Sequence, residues 1–235
     1  YGITAKSWTD SGAGAFTERS GTVTFDVAGG TINSNEAFNN VTIDHSGTST
    51  LGAALDVNGT LTITAGTLDA STSNYGINVA GNWSNSGTFT AQSGTVTLDG
   101  GDQTLSGATT FNNLTKTVTG AQTLTFPSGA ANAQTIANTL TLKGTSGNVL
   151  SLRSDSSGTQ WRIDPQGTTR NVEYLDVKDS NNINATAIEC TGCTDSGGNT
   201  KWTFPAAAAT AAEETGLALD DLIERCNRYH QKIYD

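Results

Sequence analysis

Cys190 and Cys193, in IECTGCTDSGG, carry the C-x-x-C spacing shared by zinc half-sites, redox loops and short-loop disulfides. A structural zinc takes about four ligands, and the other candidates, Cys226, His45 and His230, supply no matching second pair. A redox motif belongs at a helix N-terminus beside a βαβ unit, and no such pattern surrounds these residues. A disulfide stapling a turn is the preferred reading, with free thiols as the alternative. No metal and no cofactor are expected.

His45, in IDHSG, has Asp44 before it and Ser46 after it. Members of a nucleophilic triad meet in space rather than in sequence. In an extended segment Asp44 and Ser46 point one way and His45 the other, so a turn or exposed histidine is expected. Within the repeats, dense carboxylate pairs are Asp99 with Asp102 in LDGGDQ and Asp176 with Asp179 in LDVKDSNN. Glycoside cleavage needs two carboxyl groups about 5 to 9 Å apart across a cleft, and lyase chemistry on acidic sugars asks for clustered basic residues. Only nine Lys and Arg precede residue 205, scattered along the chain, and a formal charge of −10 repels uronates. The aspartates are therefore expected to hold Asx turns. No catalytic residue is assigned.

The same charge excludes a basic duplex-binding surface, and no run approaches the roughly 18 apolar residues of a membrane span. Neither nucleic acid nor membrane insertion is expected. Thr fills 40 of the 235 positions and Gly 27, while Met is absent. A chain without an initiating Met is expected to start after processing, such as removal of a signal segment, or to have been cut from something longer.

Internal repeats set the architecture. SGTVTFD at Ser20–Asp26 recurs as SGTVTLD at Ser93–Asp99, and 18 residues after each start comes FNNVT from Phe38 or FNNLT from Phe111. Looser copies begin at Leu55, Ile77 and Thr135, so that Val57, Leu61 and Ile63 recur as Val79 and Trp83, and again as Ile136, Leu140 and Leu142. Within each unit the period is two: Val23, Phe25 and Val27 face the core and Thr22, Thr24 and Asp26 the solvent. Gly, Asn, Asp and Ser between the runs supply corners. A spacing of about twenty residues is one turn of a β-solenoid, in which each coil offers the same positions to the next. A sandwich of hairpins is the competing all-β fold, and it requires no constant offset.

Outward threonines recur as T-x-T, among them Thr22 with Thr24, Thr60 with Thr62, Thr88 with Thr90 and Thr95 with Thr97. Ice-binding solenoids align such pairs in ladders. The seven residues from Thr88 to Thr95 exclude one shared face, and Thr suits any solvated strand. Among aromatics, Trp83 takes the slot of Leu61 and belongs to the core, and Trp202 and Phe204 to the last coil. Tyr75, Trp161 and Tyr174 are the candidates for stacking on sugars.

Two segments carry a resemblance. Gly81 to Leu114, GNWSNSGTFTAQSGTVTLDGGDQTLSGATTFNNL, resembles the repeat of bacterial exported proteins that build right-handed parallel β-helices in adhesin-like surface polypeptides. Val172 to Phe204 resembles the closing coil of such arrays. The resemblance implies a fold and a secreted or cell-surface setting, and no activity.

After Phe204 the composition changes. Residues 205–212, PAAAATAA, read as an Ala-rich linker, and 213–235 as an amphipathic helix whose stripe is Leu219, Leu222, Ile223, Cys226, Tyr229 and Ile233. Such a stripe would cap the solenoid or mediate oligomerisation. The expectation is thus an all-β, right-handed parallel β-helix (β-solenoid) over 1–204 with a C-terminal amphipathic α-helix. Its expected role is a non-catalytic extracellular stalk or fibre, self-associating or joined to other surface proteins. A glycan-binding adhesin and a polysaccharide lyase or glycosidase are the alternatives.

Overall fold

Short runs of alternating Thr and Val, Ile or Leu cannot form stable isolated strands, so each must find its hydrogen bonds in the next copy of itself. The computed structural model describes residues 2–10, 16–17 and 19–205, and the chain divides after Pro205. In the described part the strands stack in parallel as a β-solenoid of about nine turns. The expected helix over 213–235, with Leu219, Leu222, Ile223, Cys226, Tyr229 and Ile233, lies outside the described residues.

From Thr22 onward the coils visit three faces in order. On the first face Gly2–Ala5, Thr22–Phe25, the start of Asn40–Leu51, the start of Leu61–Asp69, Trp83–Asn85 and Gln103–Ser106 pair in sequence. Gln122–Phe126, Leu150–Ser154, Leu175–Val177 and Thr194–Asp195 continue that ladder. Ile3, Val23, Val41, Leu61, Trp83 and Leu105 are in register along it. All of these but Ile3 are buried. The third face stacks Leu55–Val57, Ile77–Val79 and Thr95–Leu98 beneath Asn113 to Thr117 and Thr139 to Lys143. There Leu55, Ile77, Val96, Leu114 and Leu140 form one inward column. Burying such a side chain contributes roughly 1.5–3 kcal/mol, and each coil supplies several.

The second face is built differently in the two halves. Early on, Asn40–Leu51 and Leu61–Asp69 bend from the first face onto the second, with register shifts between Ile43 and Thr48. Later, Thr109–Thr117 and Gln134–Lys143 bend from the second face onto the third, with a shift after Phe111. Bulges of this kind turn a strand without ending its pairing. Some corners admit only glycine: Gly107 has φ 74°, and a Cβ there would lie 1.9 Å from the Asn85 carbonyl oxygen.

The two long repeats do not share a face. Thr22–Phe25 lies on the first face and Thr95–Leu98 on the third. Thr22 pairs with Asn40 and Thr95 with Asn113, 18 residues on in both cases. The looser alignment also needs correction. Leu61 does pair with Trp83, whereas Leu140 pairs with Leu114 and Leu142 with Lys116 on the third face. Ile136 belongs to the second face, opposite Phe111. Val27 is 46% exposed rather than inward, because the strand stops at Phe25 and the chain turns.

Candidate functional site

The closing coil contains the cysteine pair. Cys190 and Cys193 form a disulfide across four residues, with Cys190 fully buried. The turn between them uses Gly192 at φ 66°. The Cys193 sulfur accepts the Leu175 N–H at 3.0 Å, tying the staple to the coil below. Among the described residues no group of three or more His, Cys, Asp and Glu is placed to hold a metal ion.

His45 sits in the bulge between the first and second faces, 8% exposed, while Asp44 and Ser46 point to solvent. Its Nδ1 accepts the Gly47 N–H at 3.0 Å, and its Nε2 lies 2.8 Å from Ser49 Oγ. An Nδ1 that accepts leaves the ring proton on Nε2, so the imidazole donates to Ser49. A ring in that tautomer cannot take the hydroxyl proton of Ser49, and Ser49 is itself fully buried. The pair locks the corner.

The side chains of three of the four aspartates are engaged in hydrogen bonds or an ion pair. Asp102 accepts the Thr123 N–H at 2.8 Å, while Asp99 is exposed at the start of the same Gly100–Gly101 corner. Asp176 pairs with Arg153 and accepts from Ser196 Oγ. Asp179, at φ 54° and 7% exposed, accepts the Gly158 N–H at 2.9 Å. The bonds of Asp102, Asp176 and Asp179 thus join neighbouring coils instead of closing the Asx turns expected of them.

Aromatic placement follows the columns. Trp83 is buried against Phe89 and Phe111. Trp161 is also core, stacked on Phe126 at 3.9 Å with its indole N–H on the Lys178 carbonyl, which removes it from the sugar-stacking candidates. Tyr75 and Tyr174 are half-buried. Trp202 and Phe204 stack on each other at the last coil.

The outward hydroxyls divide by face and then align. Thr4, Thr24, Thr42, Thr62, Ser84 and Ser106 form one uninterrupted column on the first face. Thr97, Thr115 and Thr141 form another on the third. Thr88 and Thr95 lie on successive faces of one coil, which accounts for the seven residues between them.

Two cations escaped the sequence reading. Arg170 pairs with Leu140 at the end of an apolar column, and its guanidinium donates to the carbonyls of Pro165, Gly167, Thr186 and Ala187 and to Asn184 Oδ1. Desolvation lowers its pKa, partly opposed by Asp164. Lys116 is fully buried. Its Nζ donates to Gly100 O and Gly101 O at 3.0 Å and to Gln103 Oε1 at 2.7 Å. Burial pushes its pKa from 10.5 down to about 8, against the pull of Asp102 and Asp99. The signal was present in the repeat: FNNLTK carries Lys116 where FNNVTI carries Ile43.

Comparison of the chain with protein-family models, with curated proteins and with solved structures yields no match in any of the three. What can be said of function therefore rests on the geometry above.

Proposed function

We propose that residues 2–205 are a rigid, right-handed, non-catalytic spacer of an exported bacterial surface protein, extended coil by coil into a stalk or fibre. The observation that carries this reading is the unbroken register of the first-face column from Ile3 through Leu105. A parallel stack has the same strand direction at both ends, so a further coil, of the same polypeptide or of a second copy, pairs with it without a change of geometry. Ile3 heads the column 43% exposed, where such a coil would cover it. The side chains best suited to chemistry serve instead as clamps between coils, as the bonds of Asp102, Asp176 and Asp179 illustrate.

A glycan-binding adhesin is the second reading, favoured by the hydroxyl column of Thr4, Thr24, Thr42, Thr62, Ser84 and Ser106. Neighbouring strands lie about 4.8 Å apart, which makes that column a periodic array of donors and acceptors. The test is incubation with a panel of bacterial and host polysaccharides, reading both retention and the release of new reducing or unsaturated ends. The spacer reading expects neither. Retention alone selects the adhesin, and cleavage overturns both readings and directs mutation to Asp99, Asp102, Asp176 and Asp179.

A further inference from the structure

We propose that Lys116 is a pH-responsive clasp between successive coils, whose ammonium reaches into the Gly100–Gly101 corner and whose loss of a proton tightens that joint. Position argues for it first. Lys116 occupies an inward slot of the third face, opposite Leu142 of the next coil and one residue beyond Thr115, just as the buried Leu98 lies one beyond Thr97 in the coil before. Alternation calls for an apolar residue there, and the first repeat supplies one in Ile43.

The surroundings argue second. The three acceptors of Nζ, Gly100 O, Gly101 O and Gln103 Oε1, are all uncharged. Gln122, with its amide turned to donate, reaches the same two carbonyls at 3.0 and 3.2 Å. Asp99 and Asp102 act on the ammonium from the exposed corner itself. The Lys143–Glu173 pair lies on the outward side of the neighbouring strands. Among the described residues the ammonium thus has hydrogen bonds but no contact ion, and desolvation outweighs the more distant carboxylates, bringing its pKa to about 8.

The direction of the effect follows from proton binding. The unfolded chain holds the Lys116 proton up to about 10.5, whereas the folded one releases it from about 8 upward. Between those values the unfolded state binds more protons, so stability rises with pH. Below about 8 both states are protonated, and the burial penalty of the cation persists in full. Coils open locally where their cohesion is least, and this places a soft joint at 99–117 near neutral pH.

The test uses the full chain. Denaturant unfolding from pH 7 to 10.5 is compared between wild type and Lys116→Met. The folding constant of the wild type is expected to gain about 100-fold relative to the variant across that window, because the folded chain has released the proton from about 8 upward while the unfolded chain is only half deprotonated at 10.5. Parallel pH profiles overturn the proposal. Should Lys116→Met not fold, NMR of carbon-13-labelled lysine in the wild type decides. Titration of Lys116 near 8 supports the clasp, and titration of Lys116 at the ordinary lysine value of 10.5 overturns it.

Discussion

In the first long repeat Thr22 stacks beneath Asn40 on the first face; in the second Thr95 stacks beneath Asn113 on the third. The local machinery is the same. Asn40 reaches down to Gly21 O and accepts the Thr60 N–H above it, and Asn113 reaches down to Gly94 O and accepts the Thr139 N–H. Each repeat also seats a phenylalanine among aromatics, Phe38 with Trp8 and Phe25, and Phe111 with Trp83 and Phe89. One motif therefore serves two faces, because it specifies a strand, a clamp and an 18-residue return rather than a place on the circumference. The difference lies in the last inward slot, filled by Ile43 in one and Lys116 in the other.

That contrast can be broken deliberately. Ile43→Lys buries a cation in a slot that holds an isoleucine between Phe25 and Ile63, and it should cost about 3–5 kcal/mol in denaturant unfolding. Lys116→Ile should cost less at pH 7, about 1–3 kcal/mol for the acceptors it leaves unpaired, with the deficit widening above pH 8. Equal costs for the two substitutions would erase the distinction between the slots. Outside both repeats, replacing Cys190 and Cys193 by serine should remove about 2 kcal/mol by the chain-entropy account of a short loop. Hydrogen exchange should then rise in the closing coil and stay unchanged at 22–43.

The shared clamp gives the next prediction. Asn40→Ala and Asn113→Ala should each lose about 1–2 kcal/mol and add in the double variant, since among the described residues the two sites share no partner. A loss at one position only would mean that the repeats resemble each other in sequence and not in mechanics. The smallest effect is expected at the solvated hydroxyls: Thr62→Ala should change stability by no more than about 0.5 kcal/mol.

Much of this fold is legible in short windows. Alternation places Val23 and Phe25 inside and Thr22 and Thr24 outside, and the repeat offset marks the coil, because both depend on residues a few positions or one turn apart. Face assignment is not legible in the same way. It depends on the summed lengths of all preceding coils and on which corners are bulged, so the second repeat arrives on another face and Ile136 and Leu140 join columns that local matching misassigns. Trp161 reads as a sugar platform until its register with Ser180 and its stacking on Phe126 put it inside. A turn or exposed place is what the sequence implies for His45 and Asx turns for the aspartates, whereas His45 is buried in a bulged strand and Asp102 and Asp179 bond to neighbouring coils, contacts that depend on the stacking and not on adjacent residues. Lys116 required comparison of the two repeats residue by residue, since a lone lysine in a strand ordinarily points to water.

The most direct test of the spacer reading is light scattering with negative-stain microscopy on concentrated protein, with and without residues 205–235. Stacking of coils beyond a single chain predicts rods that lengthen with concentration and persist when the tail is removed. Monomers at every concentration, in both forms, would contradict extension of the stalk by a second copy.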